Sequence, residues 1–62
     1  MREAAINDVQ GQQVGTIREA DDGTITGEGK AEELVREAPL KTFDDWKQTL
    51  HHSTYLRFME QA

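Results

Sequence analysis

The sequence contains no cysteine, so no disulfide can stabilise it and a zinc site built from four thiolates is excluded. At 62 residues, the chain has room for one small domain, residues 1–62, whose core is marginal for an isolated monomer. Long apolar segments are also missing, so neither a membrane span nor a signal peptide is predicted. We therefore expect a soluble, intracellular protein that relies on oligomerisation or on docking to a larger protein.

Basic residues are scarce, with 7 Lys and Arg against 12 Asp and Glu, and the net charge is −5. Binding of nucleic acid through its phosphates needs a basic face, so nucleic acid is not expected as the main partner. The acidity is typical of a surface that favours solubility. The shortage of lysine also fits adaptation to high salt, and composition leaves both interpretations open.

No catalytic or cofactor motif is present. On a helix, the adjacent His51 and His52 would point about 100° apart, so they would not share one metal ion. The Asp–Asp pairs at 21–22 and 44–45 are explained by a turn and a helix cap, and the glycines match no phosphate-binding loop. We predict a protein that is not an enzyme and that holds no metal or cofactor.

Alternation of apolar and polar residues predicts three strands, at residues 2–8, 13–20 and 24–26. A hairpin loop closed by Gly11 would set Ile6 opposite Val14. Val14 and Ile17 are an odd number of positions apart, so a regular strand would place them on opposite faces. A β-bulge at Gly15 would bring them to the same face, and the sequence leaves both arrangements open.

The Asp-Asp-Gly segment at 21–23 predicts a turn between the second and third strands. A two-residue loop would pair Ala20 with Ile25. A three-residue loop would pair Glu19 with Ile25 and would place Ile25 on the same face as Ile17. We favour the second pairing, because the register of a strand follows its buried face.

Two helices are predicted in the remaining residues. The first spans residues 31–38, where apolar residues recur at helical spacing, and Pro39 ends it. The second begins at the N-cap residue Thr42, with Phe43 and Trp46 on its apolar face. After Leu50 the apolar pattern loses its phase. Either the helix breaks between Leu50 and Tyr55, or one straight helix is apolar on two faces, and we favour the break.

The predicted fold class is α+β, with a three-stranded antiparallel β-meander (residues 1–27) followed by a short helix and a longer, kinked C-terminal aromatic helix (residues 28–62). Both helices are expected to pack on one face of the sheet. The predicted core contains Ile17, Ile25, Leu34, Phe43, Trp46 and Leu50.

The apolar residues near the C-terminus form a second apolar stripe, which predicts a partner-binding site. Arg57 lies among them and could bind a carboxylate across an interface. The edge of the third strand, residues 24–26, is a second candidate. The predicted partner-binding residues are Tyr55, Leu56, Arg57, Phe58 and Met59.

The segment GQQVGTIREADDGTITGEG, the short helix after it and the segment FDDWKQTLHHSTYLRF together cover about two-thirds of the chain. This layout resembles small proteins encoded among the head and portal genes of tailed viruses of bacteria and archaea. The resemblance implies a virion or virion-assembly component and assigns no role to individual residues. We therefore expect a structural or interaction protein that docks on a larger assembly or forms a homo-oligomer. The alternative is a small acidic regulatory protein, such as an antitoxin-like protein or an inhibitor, that covers the surface of its partner.

Overall fold

The computed structural model describes residues 1–61. These form an α+β domain with four antiparallel strands in the spatial order β3-β2-β1-β4 and with two helices. The elements in chain order are β1 (Arg2–Asp8), β2 (Gln13–Glu19), β3 (Ile25–Gly29), α1 (Lys30–Glu37), α2 (Phe43–His51) and β4 (Leu56–Gln61).

The predicted three-stranded meander with a kinked C-terminal helix is wrong in its C-terminal part. Helix α2 ends at His51, inside the interval in which the sequence favours a break, but β4 follows instead of a second helix. The Ser53 hydroxyl accepts hydrogen bonds from the backbone N–H groups of Tyr55 and Leu56, which turns the chain into the strand. Leu56 and Phe58 then pack against the core, while Arg57 between them is exposed, as a two-residue period requires.

The predicted hairpin between the first two strands has the wrong register. Ile6 lies opposite Gly15 and Asn7 lies opposite Gln13, so Val14 is the extra residue of a β-bulge. The bulge directly precedes Gly15, and Val14 remains exposed. In contrast, the favoured turn between β2 and β3 is confirmed, because Glu19 pairs with Ile25.

The core lies between one face of the sheet and the two helices. Four of the six predicted core residues are buried, and Ile25 and Leu34 are half-buried and pack against them. Phe43 of α2 lies edge-on to Phe58 of β4, with ring centroids 5.2 Å apart, which fixes the helix over this end of the sheet. The buried core consists of Ala4, Ile6, Ile17, Ala31, Phe43, Trp46 and Leu50.

Helix α1 lies directly on the backbone of β2 and β3, at positions where the strands carry glycine. A Cβ atom on Gly27 would lie 2.6 Å from the carbonyl carbon and oxygen of Ala31, and one on Gly15 would lie 2.8 Å from the Ala31 nitrogen. Both glycines therefore make room for the helix. Residues 27–29, predicted as a connector, instead extend β3, because they pair with residues 15–17 of β2.

Candidate partner-binding edge at strand β4

Strand β4 is an edge strand. It pairs with β1 along one side, and no other strand of residues 1–61 pairs with its second side. Strand β3 forms the opposite edge of the sheet, and α1 follows it and packs beside it. Edge strands carry unpaired backbone groups that can pair with a further chain. The predicted site and the second candidate edge thus lie at opposite ends of the sheet.

Hydrogen bonds at the start of β4 show which of its backbone groups face the open side. The Asp8 N–H donates to the Gln12 carbonyl oxygen at 2.9 Å, so the backbone groups of Asp8 are directed at the β1–β2 hairpin and not at Leu56 opposite. The Leu56 N–H donates instead to Ser53 Oγ, and the Leu56 carbonyl accepts from the Arg57 guanidinium. Backbone groups alternate between the two sides of a strand, so those of Phe58 and Glu60 also face the open edge.

The structure divides the five predicted partner-binding residues into two sets. Tyr55 is 77% exposed and Met59 is 52% exposed, and Arg57 is also at the surface. Leu56 and Phe58 are half-buried and pack against the core. The side chains of the first three are therefore accessible at the surface, while the other two anchor the strand.

A groove of about 350 Å³ separates helix α2 from the edge strand. Leu50 and Phe58 supply apolar surface to it, and Lys47 and His51 place basic groups along its helical side. The residues that line it are Lys47, Gln48, Leu50, His51, Arg57, Phe58 and Met59.

Arg57 differs from the other arginines of the chain in its contacts. Arg2, Arg18 and Arg36 each form an ion pair with at least one carboxylate. The Arg57 guanidinium donates to the carbonyl oxygens of Ser53 and Leu56, at 3.1 and 3.2 Å, and it has no carboxylate partner within the part of the chain that the structure describes. A charged donor held by neutral acceptors at the surface can exchange them for a stronger, charged acceptor.

Glu60 is the acidic residue of β4, and basic side chains of the same chain already balance its negative charge. Its carboxylate accepts hydrogen bonds from Arg2, at 2.9 and 3.2 Å, and from Lys47 at 3.2 Å. These hydrogen bonds, first from Arg2 and then from Lys47, hold the pKa of Glu60 below its ordinary value. The edge strand therefore has no free carboxylate on its described side chains.

The side chains considered for other chemistry have structural roles or no ligand geometry. Asp45 and Thr42 form a reciprocal capping box at the start of α2, and Asp22 accepts a hydrogen bond within its turn. His51 and His52 are exposed, with ring centroids 5.2 Å apart. Residues 1–61 contain no cluster of three side chains able to hold a metal ion, and neither of their helices is long and apolar enough to cross a bilayer.

Comparisons with protein-family models, with curated proteins and with solved structures found no match. The candidate site therefore depends on the geometry of the edge strand and its groove.

The sequence indicates the C-terminal residues of this site, but not its backbone edge or the contribution of α2. Lys47, Gln48 and His51 line the groove because β4 returns beside the helix, and that return depends on pairing with β1. The sequence pattern that indicates this strand is the alternation of residues 56–59, in which inward apolar side chains are separated by Arg57.

Proposed function

We propose that this chain is a non-enzymatic interaction protein that docks on a larger protein assembly through the edge of β4. The observation that carries this proposal is the open backbone edge at Phe58 and Glu60, bordered by the exposed side chains of Arg57 and Met59. Backbone edges of this kind give affinity through main-chain hydrogen bonds, and nearby side-chain pockets give specificity.

The assembly we propose is the particle of a tailed virus, or an intermediate in its construction. The support is the resemblance of residues 11–29 and 43–58 to small proteins of head and portal gene clusters.

A small acidic regulatory protein is the second candidate function. The observation that favours it is the exposed side of α1, which presents Glu32, Glu33 and Glu37 to solvent. Arg36 and Lys30 neutralise the first two, so this acidic surface is weaker than the residue count suggests. A partner with a basic surface would be held there by many weak, salt-sensitive contacts.

Sedimentation of the tagged chain from the cells that naturally produce it tests the two candidates. We expect a large, fixed share of the chain to move with a particle far heavier than the 7.0 kDa monomer. The variant Met59→Glu should reduce the particle-bound share at least tenfold, because it places a negative charge beside the edge.

The matched control is Thr26→Glu, an exposed position on the opposite edge strand. Recovery in a small complex of fixed composition, unchanged by Met59→Glu, would favour the regulatory function. Recovery as the free chain alone would contradict both.

A further inference from the structure

We propose that the occupant of the β4 edge is an extended, acidic segment of a partner protein, which adds as a fifth antiparallel strand and places a carboxylate on Arg57. This inference rests on the proposed docking function and names the chemistry of the partner. It concerns residues 56–60 and the groove beside α2.

The backbone supplies the geometry of the added strand. Phe58 and Glu60 each direct one N–H and one C=O to the open side, which allows four main-chain hydrogen bonds to an added strand. Leu56 contributes little to this pairing, because Ser53 and Arg57 already occupy its backbone groups. The strands already present are all antiparallel to their neighbours, and a fifth strand in the same sense continues this pattern.

The two faces of the sheet then assign the side chains of the added strand. Residues directly opposite each other in an antiparallel pair share a face. Partner residues that bond to Phe58 and Glu60 therefore direct their side chains to the helical face, into the groove with Leu50 and Phe58, where aliphatic groups fit. The alternate residues lie on the other face, beside the side chains of Arg57 and Met59, where an acidic group fits.

Charge favours an acidic partner segment over a second copy of this chain. Arg57 has no carboxylate partner within residues 1–61, and Lys47 and His51 line the groove nearby, although Lys47 already binds Glu60 and the chain as a whole carries a net charge of −5. A second copy would bring to the edge only Glu60 of its own β4, which Arg2 and Lys47 already bind.

Synthetic peptides test this inference on the full chain. The probe is a six-residue peptide of alternating Glu and Val, blocked at both ends, and binding is followed by ¹H–¹⁵N NMR at low salt. We expect the amide signals of Phe58 and Glu60 to shift and their hydrogen exchange to slow. The same peptide with Lys in place of Glu should bind at least tenfold more weakly.

Two further comparisons examine the strand geometry and the role of Arg57. N-methylation of the Val nitrogens should abolish binding, because these N–H groups face β4, whereas N-methylation of the Glu nitrogens should leave it unchanged. Arg57→Gln should weaken binding about tenfold, and the control Arg36→Gln on the exposed side of α1 should have no effect.

Equal binding of the Lys peptide would overturn the acidic assignment, and equal binding of the Val-methylated peptide would overturn strand addition. Concentration-dependent protection of Phe58 and Glu60 without any peptide would show that a second copy occupies the edge, which also overturns the inference. Absence of peptide binding would overturn it too. The sedimentation of Met59→Glu with the native assembly would decide the docking function separately.

Discussion

Gly27→Ala is the substitution that most directly tests how helix α1 lies on the sheet. Gly27 has no positive backbone φ angle, so alanine is compatible with the backbone conformation of the strand. The added methyl group, however, would lie 2.6 Å from the carbonyl atoms of Ala31 and 2.9 Å from the Glu32 nitrogen. These are backbone atoms of a helix, so the clash is relieved only if the whole helix moves away from β3.

The magnitude follows from two opposing effects. Overpacking of this kind costs about 1–3 kcal/mol. Three contacts below 3.0 Å with backbone atoms place the clash in the upper part of that range, at about 2–3 kcal/mol. Replacing a strand glycine by alanine also stabilises the fold by about 0.5–1 kcal/mol, because the unfolded chain has less conformational freedom. We therefore expect the free energy of unfolding to fall by about 1–2.5 kcal/mol, which corresponds to a decrease in Tm of roughly 4–20 °C for a domain of this size.

Urea unfolding followed by tryptophan fluorescence measures this change, because Trp46 is the single tryptophan and is only 3% exposed. The urea midpoint should decrease while the slope m stays constant. Thr26→Ala is the matched control, since Thr26 is adjacent and exposed, and it should change stability by less than about 0.5 kcal/mol. If Gly27→Ala is as stable as the parent chain within that margin, α1 does not lie against β3 as described.

Two further predictions concern the buried aromatic residue and the ion pairs of β4. Trp46→Ala should cost about 3–5 kcal/mol and should leave much of the chain unfolded at 25 °C; a loss below about 1 kcal/mol in calorimetry would contradict its place in the core. Trp46→Phe should cost much less, because it also removes a buried indole N–H that has no hydrogen-bond acceptor among the described residues. The pKa of Glu60 is lowered in the fold from its ordinary value of 4.5, so its stabilising contribution is present above that pH and is lost as the pH falls through the folded pKa. Thermal unfolding should be followed between pH 2.5 and 6. The Tm of the parent chain should decrease as the pH is lowered from about 4.5, and the Tm of Glu60→Gln should decrease less steeply. An identical slope of Tm against pH in both proteins would refute this role.

The N-terminal half of the fold is predictable because its structure is encoded by local turns. The Asp-Asp-Gly segment sets the pairing of Glu19 with Ile25 from residues only a few positions apart. The first hairpin is less predictable. Its bulge at Val14 precedes Gly15, which makes room for α1, and the local pattern of apolar residues does not reveal that packing.

The C-terminal strand could not be predicted from its own pattern. Tyr55, Phe58 and Met59 have the i, i+3, i+4 spacing of a helix, while Leu56 and Phe58 have the two-residue spacing of a strand. A run this short satisfies both periods. The choice is made by β1, whose second side is available for pairing and whose Ile6 lies opposite Phe58. The exposed residues of the candidate site follow from that choice.

The position of β1 in the middle of the sheet also determines the order in which the fold can assemble. Its neighbour β2 follows it directly, but its neighbour β4 comes from the far end of the described chain, and the bonded residues Arg2 and Glu60 are 58 positions apart in sequence. Pairings of such large separation close long loops and slow folding. During synthesis, Ile6 therefore becomes available well before Phe58 does. Until β4 is available, this side of β1 is itself an open sheet edge, so the incomplete chain is exposed to mispairing there.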